Sequence, residues 1–156
     1  MKPLLLPMII VLFFVSCKND TPNANLTDTS KTITPKLTLD GAWELTGFYN
    51  YVDNKVVDSF PQNEGYKQIK IYTDHKVMWS KHVPEDSTEW FGYGNYNIEN
   101  NHLMEVLDYG SHMMEQIINE KKIFEYELIL NKNTFSQIEL DDKGNRLYSE
   151  NYKRIE

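Results

Sequence analysis

From Lys122 to Asn145 the chain alternates, turns and alternates back. In Lys122–Leu130, Phe124, Tyr126, Leu128 and Leu130 alternate with Glu125, Glu127 and Ile129, the period of two that a half-buried strand shows. Asn131-Lys132-Asn133 supplies a turn and Thr134–Leu140 returns. Asp141-Asp142-Lys143-Gly144-Asn145 turns again, with Gly144 free to take positive φ, and Arg146–Ile155 follows. Upstream, Ala42–Val52, Tyr66–Thr73, Lys76–His82, Gly92–Glu99 and His102–Tyr109 read as strands, with turns at Asp74-His75, Pro84-Glu85-Asp86 and Asn100-Asn101. Eight short strands at hairpin spacing predict an all-β fold, an antiparallel up-and-down eight-stranded β-barrel. The face carrying Phe124, Tyr126, Leu128 and Leu130 is expected to point inward with Leu45 and Trp79. One segment breaks the rhythm. In Ser111–Lys121, Met113, Met114, Ile117 and Ile118 share one face of a short helix, which Ser111 is placed to cap. That face either packs on the core or covers a ligand.

Residues 37–156 hold all 18 aromatics that lie outside the leader, enough apolar surface for one core. The same stretch carries 12 Lys/Arg against 21 Asp/Glu, a net charge of −9. A surface so acidic repels phosphate backbones, which excludes nucleic acid as a partner. The single cysteine excludes an intramolecular disulfide and a Cys-rich metal site.

That cysteine closes a leader. Lys2 is its one positive charge, and Leu4–Val15 is uncharged and interrupted only by Pro7. Twelve residues are too few to span a bilayer core, which takes about 20, and they fit the apolar region of a secretory signal. Phe14-Val15-Ser16-Cys17 resembles the lipobox of bacterial lipoproteins, with Phe14 where Leu is usual. The resemblance implies cleavage before Cys17 and acylation of that residue, hence a chain anchored to a membrane through Cys17. Residues 18–36 are rich in Thr, Asn and Pro, with Leu26 and Ile33 as their only sizeable apolar side chains. Such a segment buries too little to offset its ordering entropy. The expected organisation is a signal peptide over 1–16, a lipidated Cys17 and flexible tether over 17–36, and a barrel domain over 37–156. Lys18 after Cys17 argues against inner-membrane retention, so the expected location is the bacterial cell envelope, at the outer membrane.

Several motifs of the domain carry a second resemblance. Gly41-Ala42-Trp43-Glu44-Leu45 resembles the G-x-W-[EK]-L opening of lipocalin-like domains. Glu150-Asn151-Tyr152-Lys153-Arg154-Ile155-Glu156 is similar to the E-x-W-K-R-x-E closing strand of a lipocalin-like domain of unknown function found in envelope lipoproteins, with Tyr152 replacing Trp. Tyr66–Thr73 with Met78-Trp79 resembles that family's K-x-I-x-x-x-T…F-x-W hairpin. Gly92-Tyr93-Gly94-Asn95-Tyr96 is similar to its G-G-G-x-Y strand, interrupted by Tyr93. The resemblance implies a calycin-type barrel with no assigned activity. It also implies that Trp43 lies at a closed end under Arg154 as a structural barrel-closing pair.

Chemistry-bearing motifs are few. His75, His82, His102 and His112 do not recur at i, i+2 or i, i+4, so no metal site is expected. Nucleotide-cradling glycine loops, H-E-x-x-H and G-x-S-x-G are absent, so neither a cofactor nor a catalytic residue is expected. Two carboxylates stand out. Glu105 sits in the apolar run Leu103-Met104-Glu105-Val106-Leu107, and Glu150 shares a strand face with Tyr148, Tyr152 and Arg154. If that face is internal, Glu150 and Arg154 are placed to pair, because an unpartnered buried carboxylate is costly. A structural ion pair, a ligand-orienting pair and general acid/base chemistry all fit. In Trp90–Tyr96, alternation sends Trp90, Gly92, Gly94 and Tyr96 to one face and Phe91 and Tyr93 to the other. One set is core, and the other either rims a pocket or lets a flat ligand approach over the glycines.

The candidate ligand-binding residues are therefore Trp79, Trp90, Tyr96, Glu105, Glu150 and Tyr152, and the expected ligand is a small, mostly apolar molecule. An envelope structural or interaction module with a side-chain-filled barrel is the alternative, and an enzyme using barrel carboxylates is the third. Replacing Cys17 with Ala is expected to abolish labelling by a palmitate analogue and to release the protein from membranes. Labelling that survives the substitution would overturn the anchor.

Overall fold

The structure is a computed structural model that describes residues 37–85 and 90–156. The signal peptide, Cys17, the tether, and Asp86 and Glu89 lie outside the described residues. The described elements are β1 (Gly41–Val52), β2 (Lys55–Phe60), β3 (Lys67–Tyr72), β4 (Lys76–His82), β5 (Trp90–Glu99), β6 (His102–Gly110), α1 (His112–Glu120), β7 (Ile123–Leu130), β8 (Thr134–Leu140) and β9 (Arg146–Arg154). They form one antiparallel sheet in the order β2-β1-β3-β4-β5-β6-β7-β8-β9, and β1 also pairs with β9. Hydrogen bonds therefore run in a ring from β1 through β3 to β9 and back, with β2 appended to β1. Among the described residues no helix is long and apolar enough to cross a membrane.

The sheet has nine strands where the sequence reading expects eight, and β2 is the addition. All six of its residues are exposed. Val56 and Val57 are adjacent, so the alternation that marks a half-buried strand is missing. The turn that makes it is nonetheless written in the chain. Asp53 and Asn54 have φ of 50° and 60°, the paired positive values of a type I′ hairpin turn that Asp and Asn tolerate. Asn100 and Asn101 repeat the device between β5 and β6, at 51° and 62°.

Strand faces follow from register. On β7, Leu128 is buried, and Phe124, Tyr126 and Leu130 pack against the core that holds Leu45 and Trp79. On β3 the sides are reversed relative to simple hydropathy: Gln68, Lys70 and Tyr72 are buried while Ile71 is 44% exposed. Lys70 is the ladder partner of both Trp43 and Trp79, and Tyr72 that of Val77. Directly opposed residues share a face, so the two indoles carry Lys70 inside with them. Gly92 makes room for Trp79, since a Cβ there would sit 2.8 Å from the indole. In α1, Met114 and Ile118 are buried and Met113 and Ile117 are not. Ser111 occupies the N-cap position, but its hydroxyl makes no capping bond.

One end of the ring is sealed by its first and last strands. Trp43, fully buried, donates its indole N–H to the Leu39 carbonyl at 2.7 Å. The Arg154 guanidinium lies 4.0 Å from the Trp43 ring centroid. It also donates to the carbonyls of Lys132 and Thr38, each at 2.9 Å, and to that of Asp40. One planar cation thus binds the chain's entry segment, the β7–β8 turn and an indole face. Replacing Arg154 with Lys keeps the charge and removes the flat, multiply donating group. A Trp43→Leu/Arg154→Lys double-mutant cycle, followed by denaturant unfolding, is expected to give a coupling of about 0.5–2 kcal/mol.

Candidate binding cavity

Side chains fill the interior at the Trp43 end. Phe135 meets Trp43 edge-on at 4.9 Å and stacks flat on Tyr152 at 4.5 Å. Tyr72 packs edge-on against Phe135 at 6.0 Å. The hydroxyls of Tyr72 and Tyr152 reach from this aromatic layer into a polar one.

Lys70 is the centre of the polar layer. Its ammonium donates to Glu105 Oε1 at 2.8 Å and to Gln137 Oε1 at 2.7 Å, and the rings of Tyr72, Tyr126 and Tyr152 lie within 6.0 Å of it. Glu105 Oε1 also accepts the Tyr72 hydroxyl at 2.6 Å. Gln137 passes the network on, donating to Glu150 Oε2 at 2.9 Å. That same oxygen accepts Gln68 at 3.1 Å and the Tyr152 hydroxyl at 2.5 Å. Tyr66 donates to Gln68 Oε1 at 2.7 Å, which completes the chain. Burial, with the neighbouring carboxylates Glu105 and Glu150, pushes the Tyr72 and Tyr152 phenols well above their ordinary range. Both stay protonated and act as donors.

Beyond the polar layer the ring is open. A cavity of about 240 Å³ has Lys70, Gln68, Gln137, Glu105 and Glu150 as its floor. Its walls and mouth are Trp79, Trp90, Leu107, Phe124 and Tyr126, with Met114 and Ile117 contributed by α1. Of the helix face Met113, Met114, Ile117 and Ile118, Met114 and Ile118 join the core, and Met114 and Ile117 border the cavity. Lys81 holds its ammonium 5.4 Å over the Trp79 ring at the rim, with Glu139 across the opening.

Among the sequence candidates, Trp79, Trp90, Glu105 and Glu150 converge on this cavity. Tyr152 lies under its floor, bonded to Glu150. Tyr96 is elsewhere. It borders a wide depression of about 860 Å³ at the opposite ends of the strands. Its hydroxyl faces Asp40 at 3.4 Å, and burial, with Asp40 nearby, pushes it up to about 12. Two pairings differ from expectation. Glu150 bonds Gln68, Gln137 and Tyr152, while Arg154 is held by Trp43 and three carbonyls, so these two do not pair. The space above Gly92 is taken by Trp79 and not by a flat ligand. Lys70, Gln68 and Gln137 are the residues that sequence reasoning missed. The signal that would have found Gln68 and Lys70 is phase: they share a strand face with Tyr72, the one aromatic on β3. Among the described residues no group of three or more His, Cys, Asp or Glu is placed to hold a metal ion.

No protein-family model matches the chain, and no curated protein does. It is similar to the crystal structure of an uncharacterized protein from Bacteroides eggerthii, with a TM-score of 0.49 and 13% identity over 75% of this chain and 99% of that one.

The Lys70–Glu105 pair is 3% and 2% exposed, so removing one partner strands the other in low dielectric. Lys70→Met is expected to destabilise the domain by about 3–5 kcal/mol. Lys70→Met/Glu105→Gln, which removes both charges and leaves Tyr72 an acceptor, is expected to recover part of that loss. Denaturant unfolding of the two variants checks both outcomes.

Proposed function

We propose that this chain is a lipid-anchored envelope lipoprotein whose lipocalin-like barrel binds a small, mostly apolar molecule. The observation that carries the reading is the cavity: aromatic and aliphatic walls over a few converging polar groups is the arrangement of small-molecule sites. The closed hydrogen-bond ring supports the barrel, whose eight-strand circumference gives an interior just wide enough for one compact ligand. A volume of about 240 Å³ lies below the usual range for drug-sized ligands, so the ligand is compact. The Phe14-Val15-Ser16-Cys17 motif supports the anchor and, with Lys18, the outer membrane. A wholly side-chain-filled barrel fits only the Trp43–Phe135–Tyr152 end.

Native mass spectrometry of protein purified from its own envelope tests the reading. A discrete small-molecule mass excess is expected on the wild type. It should be lost in Leu107→Trp, which places an indole in the cavity. Identical apo masses for both proteins would overturn it.

A further inference from the structure

The floor of the cavity is unevenly satisfied. Glu105 is 2% exposed, and its Oε1 takes both the Lys70 ammonium and the Tyr72 hydroxyl. Its Oε2 accepts no donor among the described residues. Glu150 repeats the pattern, with Oε2 accepting Gln68, Gln137 and Tyr152 and Oε1 accepting none among them. Both residues line the cavity. A carboxylate oxygen that no protein donor takes is open to a donor from outside the chain, and here buried Glu105 and half-buried Glu150 each bring one to the same open cavity.

Charge points the same way. The lining carries Lys70 and Lys81 against Glu105, Glu139 and Glu150, an excess of one negative charge. Lys70 is already committed to Glu105 and Gln137 and ringed by three tyrosines. Lys81 stands at the rim over Trp79, opposed by Glu139. An anionic ligand would meet two carboxylates at the floor. A monocation would meet two free acceptors and cancel the excess. The walls above them are apolar and aromatic, and about 240 Å³ holds roughly eight water-sized units.

We propose that the cavity takes a small monoamine or amidine, its cationic nitrogen on the free oxygens of Glu105 and Glu150 and its apolar or aromatic body against Trp79 and Trp90. The proposal rests on the small-molecule-binding reading and names the ligand class. It departs from a purely apolar ligand by one charged donor, which two carboxylate oxygens without a donor among the described residues are able to accept.

The chain has three tryptophans, so full-length protein labelled with 5-fluorotryptophan gives three assignable fluorine resonances. Trp79 and Trp90 border the cavity, and Trp43 is sealed at the other end. The probes are 2-phenylethylamine, 2-phenylethanol and 3-phenylpropionate, which share a body and differ in charge. The amine is expected to shift Trp79 and Trp90, leave Trp43 unmoved, and bind about tenfold or more tighter than the other two. Glu150→Gln keeps an acceptor for Gln68, Gln137 and Tyr152, and is expected to remove that preference. Equal or tighter binding of the alcohol or the acid would overturn the amine assignment and leave the cavity as a binding site. An amine preference unchanged in Glu150→Gln would overturn the placement of the nitrogen. If none of the three probes moves Trp79 or Trp90 at millimolar concentration, the amine proposal and the small-molecule function both fall.

Discussion

Between Trp43 and Asn50, β1 pairs with β9, while its opposite edge is divided between β3 near the start and β2 near the end. A strand so used has no free edge along most of its length, which leaves little template for pairing with another chain. More follows from this one ladder than the removal of edges. It turns a sheet into an enclosure, with an inside that must be filled or hydrated. It also brings Arg154 directly opposite Trp43, so the stacking that seals one end is a consequence of register. The polar floor depends on it too, because Glu150 and Tyr152 reach Gln68 only when β9 lies against β1.

The enclosure is filled from one end only. Aromatic packing around Phe135 gives way to a hydrogen-bonded layer, and that layer faces a space the chain does not fill. A buried ion pair is an expensive way to close a core, since desolvation can exceed the Coulombic gain. Apolar residues on β3, where Ile69 and Ile71 already point the other way, would have served stability at least as well. Lys70, Gln68 and Gln137 are thus better explained by what they hold in place, two carboxylates that line a cavity, than by the stability they add.

Much of the ring is readable from the chain, because hairpin strands with one buried face announce themselves by alternation. Phe124, Tyr126, Leu128 and Leu130 are the plainest instance, and Glu105 among leucines and valines marked a buried carboxylate for the same reason. What escaped notice did so where a physical rule lost its grip. β2 has two wet faces, so its residues obey no alternation, and only the Asp53-Asn54 turn gives it away. β3 places isoleucines outside and a lysine inside, because ladder partners Trp43 and Trp79 decide its face. Glu150 and Arg154 lie on one strand face, and their separation there is set by neighbours that no single strand contains. Trp43 and Arg154 were nameable in advance from terminal motifs. Of the layer between them and the cavity, Glu105, Glu150 and Tyr152 were nameable, whereas Gln68, Lys70 and Gln137 were not, since the layer is assembled from β3, β6, β8 and β9 together.

The ladder between β1 and β9 also orders events in time. The Thr46 hydroxyl binds the Asn151 carbonyl 105 positions away, and such long closures are slow because loop entropy is lost before the contact returns anything. Hairpins such as β3–β4 and β7–β8 join near neighbours and close only short loops. β1 is synthesised before any of them, yet its partner on the β9 side is synthesised last. A nascent chain therefore carries its first strand half-paired until β9 arrives, and a chain truncated before Arg146 keeps its hairpins but lacks the ladder that closes the ring.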